Sequence, residues 1–239
     1  MTKNIVLIHG AWHTGKCWAP IQKSLEEKDY NVYAPTYPGN GVDDSKKVVP
    51  QDYIDWIQNV ISNIPGKSIV LGHSSAGIVM VGGLTGVKDK VELAIFNNAF
   101  VPPHGMSQFD VVGPEIEGVF RSIAAGREDG CVALDRDFIR GKLMQLADEE
   151  TFERLLAEEI VPQPLAIFET RVQTQAFIDS GIPCAMIHCK DDVSVDPDGY
   201  KMMFQSIGRG KIVEIPGEHE LLVSNPDAIV DALMELLNA

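Results

Sequence analysis

Lys67-Ser68-Ile69-Val70-Leu71-Gly72-His73-Ser74-Ser75-Ala76-Gly77 carries a short apolar run into a turn of small residues with serine at its apex, and the apolar stretch Ile78 to Leu84 follows at once. A strand that must reverse into a helix within three residues tolerates only small flanking side chains, and Gly72, Ala76 and Gly77 supply them. The segment therefore reads as a nucleophile elbow with Ser74 exposed at the carboxyl edge of a sheet. The common pattern is G-x-S-x-G, from which Ala76 departs by one methyl group. Placing Ser75 at the apex would put the bulky His73 in the tight preceding position, so Ser74 is preferred.

Working outward, short β-rich runs alternate with helical patterns. Asn4 to His9 precedes a helix near Cys17 to Lys28, and Asn31 to Ala34 precedes one near Asp52 to Ile64. After the elbow come Glu92 to Asn97, Cys184 to Cys189 with a helix near Asp198 to Ser206, and Lys211 to Ile215 with a final helix over Pro226 to Leu237. Strands apolar on both faces that alternate with helices predict a doubly wound, mostly parallel sheet covered on both sides. The alternation breaks once. Between Val101 and about Gly181 no strand is convincing, whereas Asp135 to Leu146 and Glu149 to Ile160 carry helical periodicity. The expected organisation is a core of residues 1–100 and 182–239 with a helical cap, or lid, of residues 101–181 inserted in it.

A serine hydroxyl is a weak nucleophile near neutral pH and needs a base, a group that orients the base, and donors for the developing oxyanion. Of the six histidines, His219 lies in Gly217-Glu218-His219-Glu220, between the last predicted strand and the last helix, from where an imidazole reaches across the strand ends. His73 is expected to turn into the fold and His188 to lie within a strand. The orienting carboxylate should follow the penultimate strand, where Lys190-Asp191-Asp192-Val193 stands; Asp191 is preferred with Asp192 close behind. Asp196 and Asp198 suit a turn and a helix cap. The first strand ends in His9-Gly10-Ala11-Trp12, so the amides of Ala11 and Ser75 are the expected oxyanion donors. The first and third strands flank the reversal of winding where such sheets place their crevice.

Gly10-Ala11-Trp12-His13-Thr14-Gly15-Lys16-Cys17 also fits G-x-x-x-x-G-K, but Cys17 stands where a phosphate-binding loop needs the magnesium-binding hydroxyl of Ser or Thr. Cys184, His188 and Cys189 fall on both faces of one strand, which suits core packing better than a metal. Neither cofactor nor metal is expected. A net charge of -14 with no basic cluster repels nucleic acid and anionic lipid surfaces. A chain of 239 residues fits one core that buries roughly 70% of the unfolded surface. No run approaches membrane-spanning length, Met1-Thr2-Lys3-Asn4 leads straight into a strand, and four irregularly spaced cysteines read as reduced thiols, so a soluble cytoplasmic protein is expected.

On these residues the chain resembles the α/β-hydrolase superfamily, and within it the plant methylesterase and hydroxynitrile lyase family with its bacterial esterase relatives. The resemblance spans nearly the whole chain and is most specific at Val6-Leu7-Ile8-His9-Gly10-Ala11-Trp12-His13, Gly72-His73-Ser74, Asn98-Ala99-Phe100-Val101-Pro102 and Gly217-Glu218-His219. It implies a six-stranded core order of 2-1-3-4-5-6, Ser74, Asp191 and His219 as nucleophile, acid and base, and Ala11 and Ser75 as oxyanion donors. The lyases of the family place threonine after the histidine of the first-strand motif and lysine after the catalytic histidine. This chain has Gly10 and Glu220 there, which favours the esterases, although Glu220 is unusual in either branch.

The expected activity is cofactor-independent hydrolysis of carboxylic esters of small, largely apolar molecules. Trp12, Phe109, Phe120, Leu143, Met144 and Phe168 are the candidates for an apolar substrate pocket, with packing of the cap against the core as the competing role. A hydroxynitrile lyase and a small-molecule receptor that retains the site are the alternatives. The sequence leaves oligomeric state open, a homodimer being the association to test.

Overall fold

The computed structural model describes residues 2–196 and 198–238; Met1 and Ala239, the outer ends of the expected core segments, and Pro197 lie outside it. Among the described residues there are eight strands: β1 (Asn4–Ile8), β2 (Asn31–Tyr33), β3 (Ser68–His73), β4 (Val91–Asn97), β5 (Cys131–Val132), β6 (Gln163–Pro164), β7 (Cys184–Cys189) and β8 (Lys211–Ile215). Six form one all-parallel sheet in the order β2-β1-β3-β4-β7-β8. Counting these six alone gives the expected order. The two extra strands, β5 and β6, pair antiparallel with each other and correct the expectation of no strand between residues 101 and 181. Each is two residues long, too short for period-2 alternation to register in sequence.

The strands partition the core by parity, as side chains on successive residues leave opposite faces. Val6 and Ile8 of β1, Val70 of β3 and Met186 of β7 join one buried cluster, whereas Ile5, Leu7, Ile69, Leu71, Ala185 and Ile187 join the other. Helices α1 (Ala19–Glu26) and α12 (Pro226–Leu237) cover the second face through Ile21, Leu25, Ile229 and Leu233. Helices α2 (Pro50–Asn63) and α3 (Ala76–Gly83) cover the first through Tyr53, Ile57, Ile61 and Ile78. Proline at the first position of α2 and α12 fits a site where no amide donor is needed.

Between β4 and β7 lie α4 (Gln108–Val112), α5 (Pro114–Ala125), α6 (Arg136–Phe138), α7 (Glu149–Glu158), α8 (Ala166–Glu169) and α9 (Thr174–Ser180). The helix expected over Asp135 to Leu146 is broken into α6 and a π-turn, Ile139–Leu143. The segment is tied to the core by polar bonds. The Val161 amide donates to Trp12 O at 2.7 Å, Trp12 Nε1 donates to Val132 O at 3.0 Å, and Gln163 Oε1 accepts from the Trp12 amide and from Asn40 Nδ2. Beyond β7, α10 (Gly199–Gln205) and α11 (Leu221–Ser224) complete the fold. Asp198 precedes α10 but its side chain makes no capping bond. No helix among the described residues is long and apolar enough to cross a membrane.

Candidate active site

Ser74 sits between β3 and α3 with φ of 55°, a left-handed conformation that non-glycine residues rarely adopt. The backbone is clamped there. The Ser74 amide donates to Asn97 O, and Ser74 O accepts from the amides of Gly77 and Phe100. A Cβ at Gly77 would lie 2.1 Å from Phe100 O, so glycine is required for α3 to approach the segment after β4. A Cβ at Gly10 would lie 3.0 Å from the Ser74 Cβ, which shows how tightly the loop after β1 presses on the elbow.

His219, in the loop between β8 and α11, places Nε2 3.0 Å from Ser74 Oγ and Nδ1 2.6 Å from Asp192 Oδ2. The three side chains come from three strand ends and are all buried. This arrangement requires the Nδ1–H tautomer, with Nε2 accepting from the serine hydroxyl. The carboxylate beside His219 is thus Asp192 and not Asp191, which corrects the sequence expectation. Asp191 is exposed and turned the other way, its Oδ2 accepting from the Gly217 amide at 2.7 Å. Two adjacent aspartates beyond a strand end point apart, and only the course of the loop decides which of them turns inward.

Two partners of Asp192 escaped the sequence reading as functional groups. Asn98, with φ of 37°, donates through Nδ2 to Asp192 Oδ2 at 2.6 Å and to Cys189 O, while its Oδ1 accepts from the Cys189 amide. Ser194 donates its hydroxyl to Asp192 Oδ1 at 2.6 Å and stands 3.1 Å from both His219 Nδ1 and Tyr200 Oη. The Tyr200 ring stacks on the His219 imidazole, 5.8 Å between centroids at 21°. The Asn98-Ala99-Phe100-Val101-Pro102 segment was the one available signal for Asn98; Ser194 and Tyr200 carried none.

Burial by itself would raise the Asp192 carboxyl, but the adjacent His219 and the bonds from Asn98 and Ser194 outweigh it and hold the group down at about 2. Burial would lower His219, and the Asp192 charge and hydrogen bond overcome that to raise its pKa above the ordinary 6.5.

Behind His219 lies a second ionisable cluster. Glu220 Oε2 is 3.2 Å from His13 Nε2 and 3.7 Å from His73 Nε2, all three side chains being nearly inaccessible. These are close contacts whose alignment falls short of hydrogen bonding, so Glu220 Oε2 and His73 Nε2 have no hydrogen-bond partner. Burial opposes ionisation of Glu220, but His13 and His73 together outweigh it and keep the carboxyl well below the usual range. His13 is raised because Glu220 outweighs burial, and His73 is lowered by burial. The cluster reads as a His13–Glu220 ion pair beside a neutral His73. Ligand atoms of His73, His219 and Glu220 lie within 4.8 Å of one another, but both nitrogens of His219 are already engaged by Asp192 and Ser74, so the group makes a poor cation cage.

Ser74 and His219 open into a cavity of ≈ 390 Å³ lined by Trp12, Phe100, Phe109, Phe120, Phe138, Leu143, Phe168 and Tyr200, with Gln108, Ser194 and Asp196 as polar members. Phe109, Phe120 and Phe168 pack on one another and Trp12 on the last two. The expected lining residue Met144 is absent from this wall. It is fully buried in the same cluster as Leu143, directly after the π-turn, where its backbone leaves the helical conformation. Lys16 is exposed and the residue after it is the buried Cys17, so the G-x-x-x-x-G-K segment has a thiol where a phosphate-binding loop places its magnesium-binding hydroxyl.

The sheet order, the serine at the β3–α3 turn and the histidine before the last helix together define an α/β hydrolase. A family model described as "Alpha/beta hydrolase family" matches residues 5–232, and the chain belongs to that family. It is similar to Methylesterase 2 of Arabidopsis thaliana, 23% identical over 258 residues and covering 98% of this chain and 95% of that protein. It is similar also to a carbendazim hydrolyzing esterase of Nocardioides sp., 26% identical over 255 residues with 98% and 99% covered. Among solved structures, an extracellular α/β-hydrolase from a Paenibacillus species matches with a TM-score of 0.91 at 22% identity, over 98% of each chain.

Proposed function

We propose that the protein is a cofactor-independent serine carboxylesterase acting on esters of small, uncharged, largely apolar molecules. The observation that carries the reading is the continuous relay from Asp192 Oδ2 through His219 to Ser74 Oγ, 2.6 Å and 3.0 Å per step, at the base of an aromatic cavity. His219 takes the Ser74 proton as Oγ attacks the ester carbonyl, and returns it to the departing alkoxide; water then repeats the sequence on the acyl-enzyme. Asp192 fixes the tautomer and stabilises the imidazolium. The amides of Ala11 and Ser75 meet no acceptor among the described residues, which suits them to the oxyanion, each such donor contributing about 3 kcal/mol to barrier lowering. The names of the curated relatives, a methylesterase and a carbendazim hydrolyzing esterase, agree with ester hydrolysis. Cyanohydrin cleavage is disfavoured because the residue after His219 is the anionic Glu220.

We read residues 101–181 as a cap over the site, since α4, α5 and α8 supply Phe109, Phe120 and Phe168 to the cavity wall. The four buried free cysteines fit a reducing, cytoplasmic setting. The test is hydrolysis of a p-nitrophenyl ester with intact-mass detection of the acyl-enzyme. Ser74→Ala should lose both adduct and turnover, by roughly 10⁵-fold or more. Ordinary turnover by that variant would reject the assignment, and binding without turnover across an ester panel would favour a receptor.

A further inference from the structure

The relay from Asp192 to Ser74 leaves Glu220 without a task, although a buried carboxylate one residue from the base is expensive to maintain. Its partners come from three different elements: His13 from the loop after β1, His73 from the end of β3, and the Leu143 carbonyl, which accepts the Glu220 amide at 3.1 Å. His13 and His73 flank the carboxylate while the Leu143 bond anchors the backbone that carries it, and a Glu220 oxygen lies within 4.8 Å of a ring nitrogen of His219. We propose that Glu220 is a positioning residue of the hydrolytic reaction, a second buried carboxylate that stabilises protonated His219 alongside Asp192 and so sets the pH range over which the base is available. The inference rests on the esterase reading above.

The groups facing Glu220 decide the sign. His13 is its charge partner and His73 lies beside it; Cys17 and Tyr200, both deeply buried, stay protonated, and Glu159 acts from beyond α7. On His219, Asp192 is the largest charged influence, Glu220 follows and Glu218 is smaller. Glu218 is committed elsewhere, its carboxylate accepting from the amides of Leu146 and Ala147. An anion beside an imidazole favours its protonated form, so the intact Glu220 holds the acid limb of the rate profile at higher pH. The His13 cation offsets part of this.

The experiment is the pH profile of kcat/KM with an uncharged p-nitrophenyl ester for wild type, Glu220→Gln and Glu220→Asp. Glu220→Gln should move the acid limb down by about half to one pH unit, and Glu220→Asp, which keeps the charge, should leave it near the wild-type position. If stranding His13 prevents the Gln variant from folding, the double variant His13→Gln/Glu220→Gln removes the pair as a unit and should shift the limb the same way. A folded neutral variant whose limb stays in place, or Asp and Gln variants that shift equally, would overturn the proposal. Because the limb is read on Ser74-dependent turnover, that outcome leaves the esterase reading standing, whereas turnover surviving Ser74→Ala would remove both.

Discussion

The neighbouring residues Asp191 and Asp192 have opposite surroundings, and this separates their expected phenotypes. Asp192 is buried and bonded to His219, Asn98 and Ser194, so Asp192→Asn should lower kcat by roughly 10³- to 10⁴-fold by supplying the wrong tautomeric partner. Asp191→Asn should stay within several-fold of wild type, because that carboxylate only accepts from the Gly217 amide. Steady-state kinetics on both variants checks the pair. Asp192 also links stability to acid. Its carboxyl is held at about 2 against an ordinary 3.8, so its ionisation contributes stability in full above 3.8, and the contribution is lost as pH falls towards 2. Thermal unfolding between pH 5 and 2 should therefore fall less steeply for Asp192→Asn than for wild type.

At the scale of elements, the elbow depends on α3 lying against the segment after β4. Gly77→Ala would drive a methyl group into Phe100 O, which belongs to backbone and cannot yield as a flexible side chain can. A loss of about 1–3 kcal/mol is expected, read as a lowered denaturation midpoint, with activity falling further because Ser74 O is bonded to the amides on both sides of that contact. The strand and helix positions were largely legible: runs apolar on both faces gave the six core strands, and α2, α3 and α12 fell within a few residues of their expected ranges. The segment of residues 101–181 was read less well. Its two-residue strands have no periodicity to show, and Ile139 and Leu143 of the π-turn share a buried cluster with residues of α7 and of α11, the latter far along the chain.

For the molecule as a whole, charge and cavity act together. A net charge of -14, with Asp196 on the cavity wall and no lysine or arginine lining it, disfavours anionic substrates. Esters bearing a free carboxylate should show a lower kcat/KM than neutral analogues of equal size, and the gap should narrow as salt screens the field from about 10 Å at 0.1 M to about 3 Å at 1 M. A preference that ignores ionic strength would assign the discrimination to shape alone. The aromatic wall is a joint product of core and insertion: Phe168→Ala should enlarge the cavity, shift preference to bulkier esters and cost about 3–5 kcal/mol, since its ring touches Trp12, Phe109 and Phe120.

The sequence alone determined the parallel sheet, the elbow at Ser74 and the choice of His219, since each is written in contiguous residues whose spacing and size obey local steric rules. Only the tertiary structure decided which aspartate meets the imidazole, that Asn98 and Ser194 brace it, that Met144 faces away from the cavity, and that Glu220 lies between His13 and His73. The direction of a side chain in a loop is set by contacts among segments distant in the chain, and no local pattern encodes them.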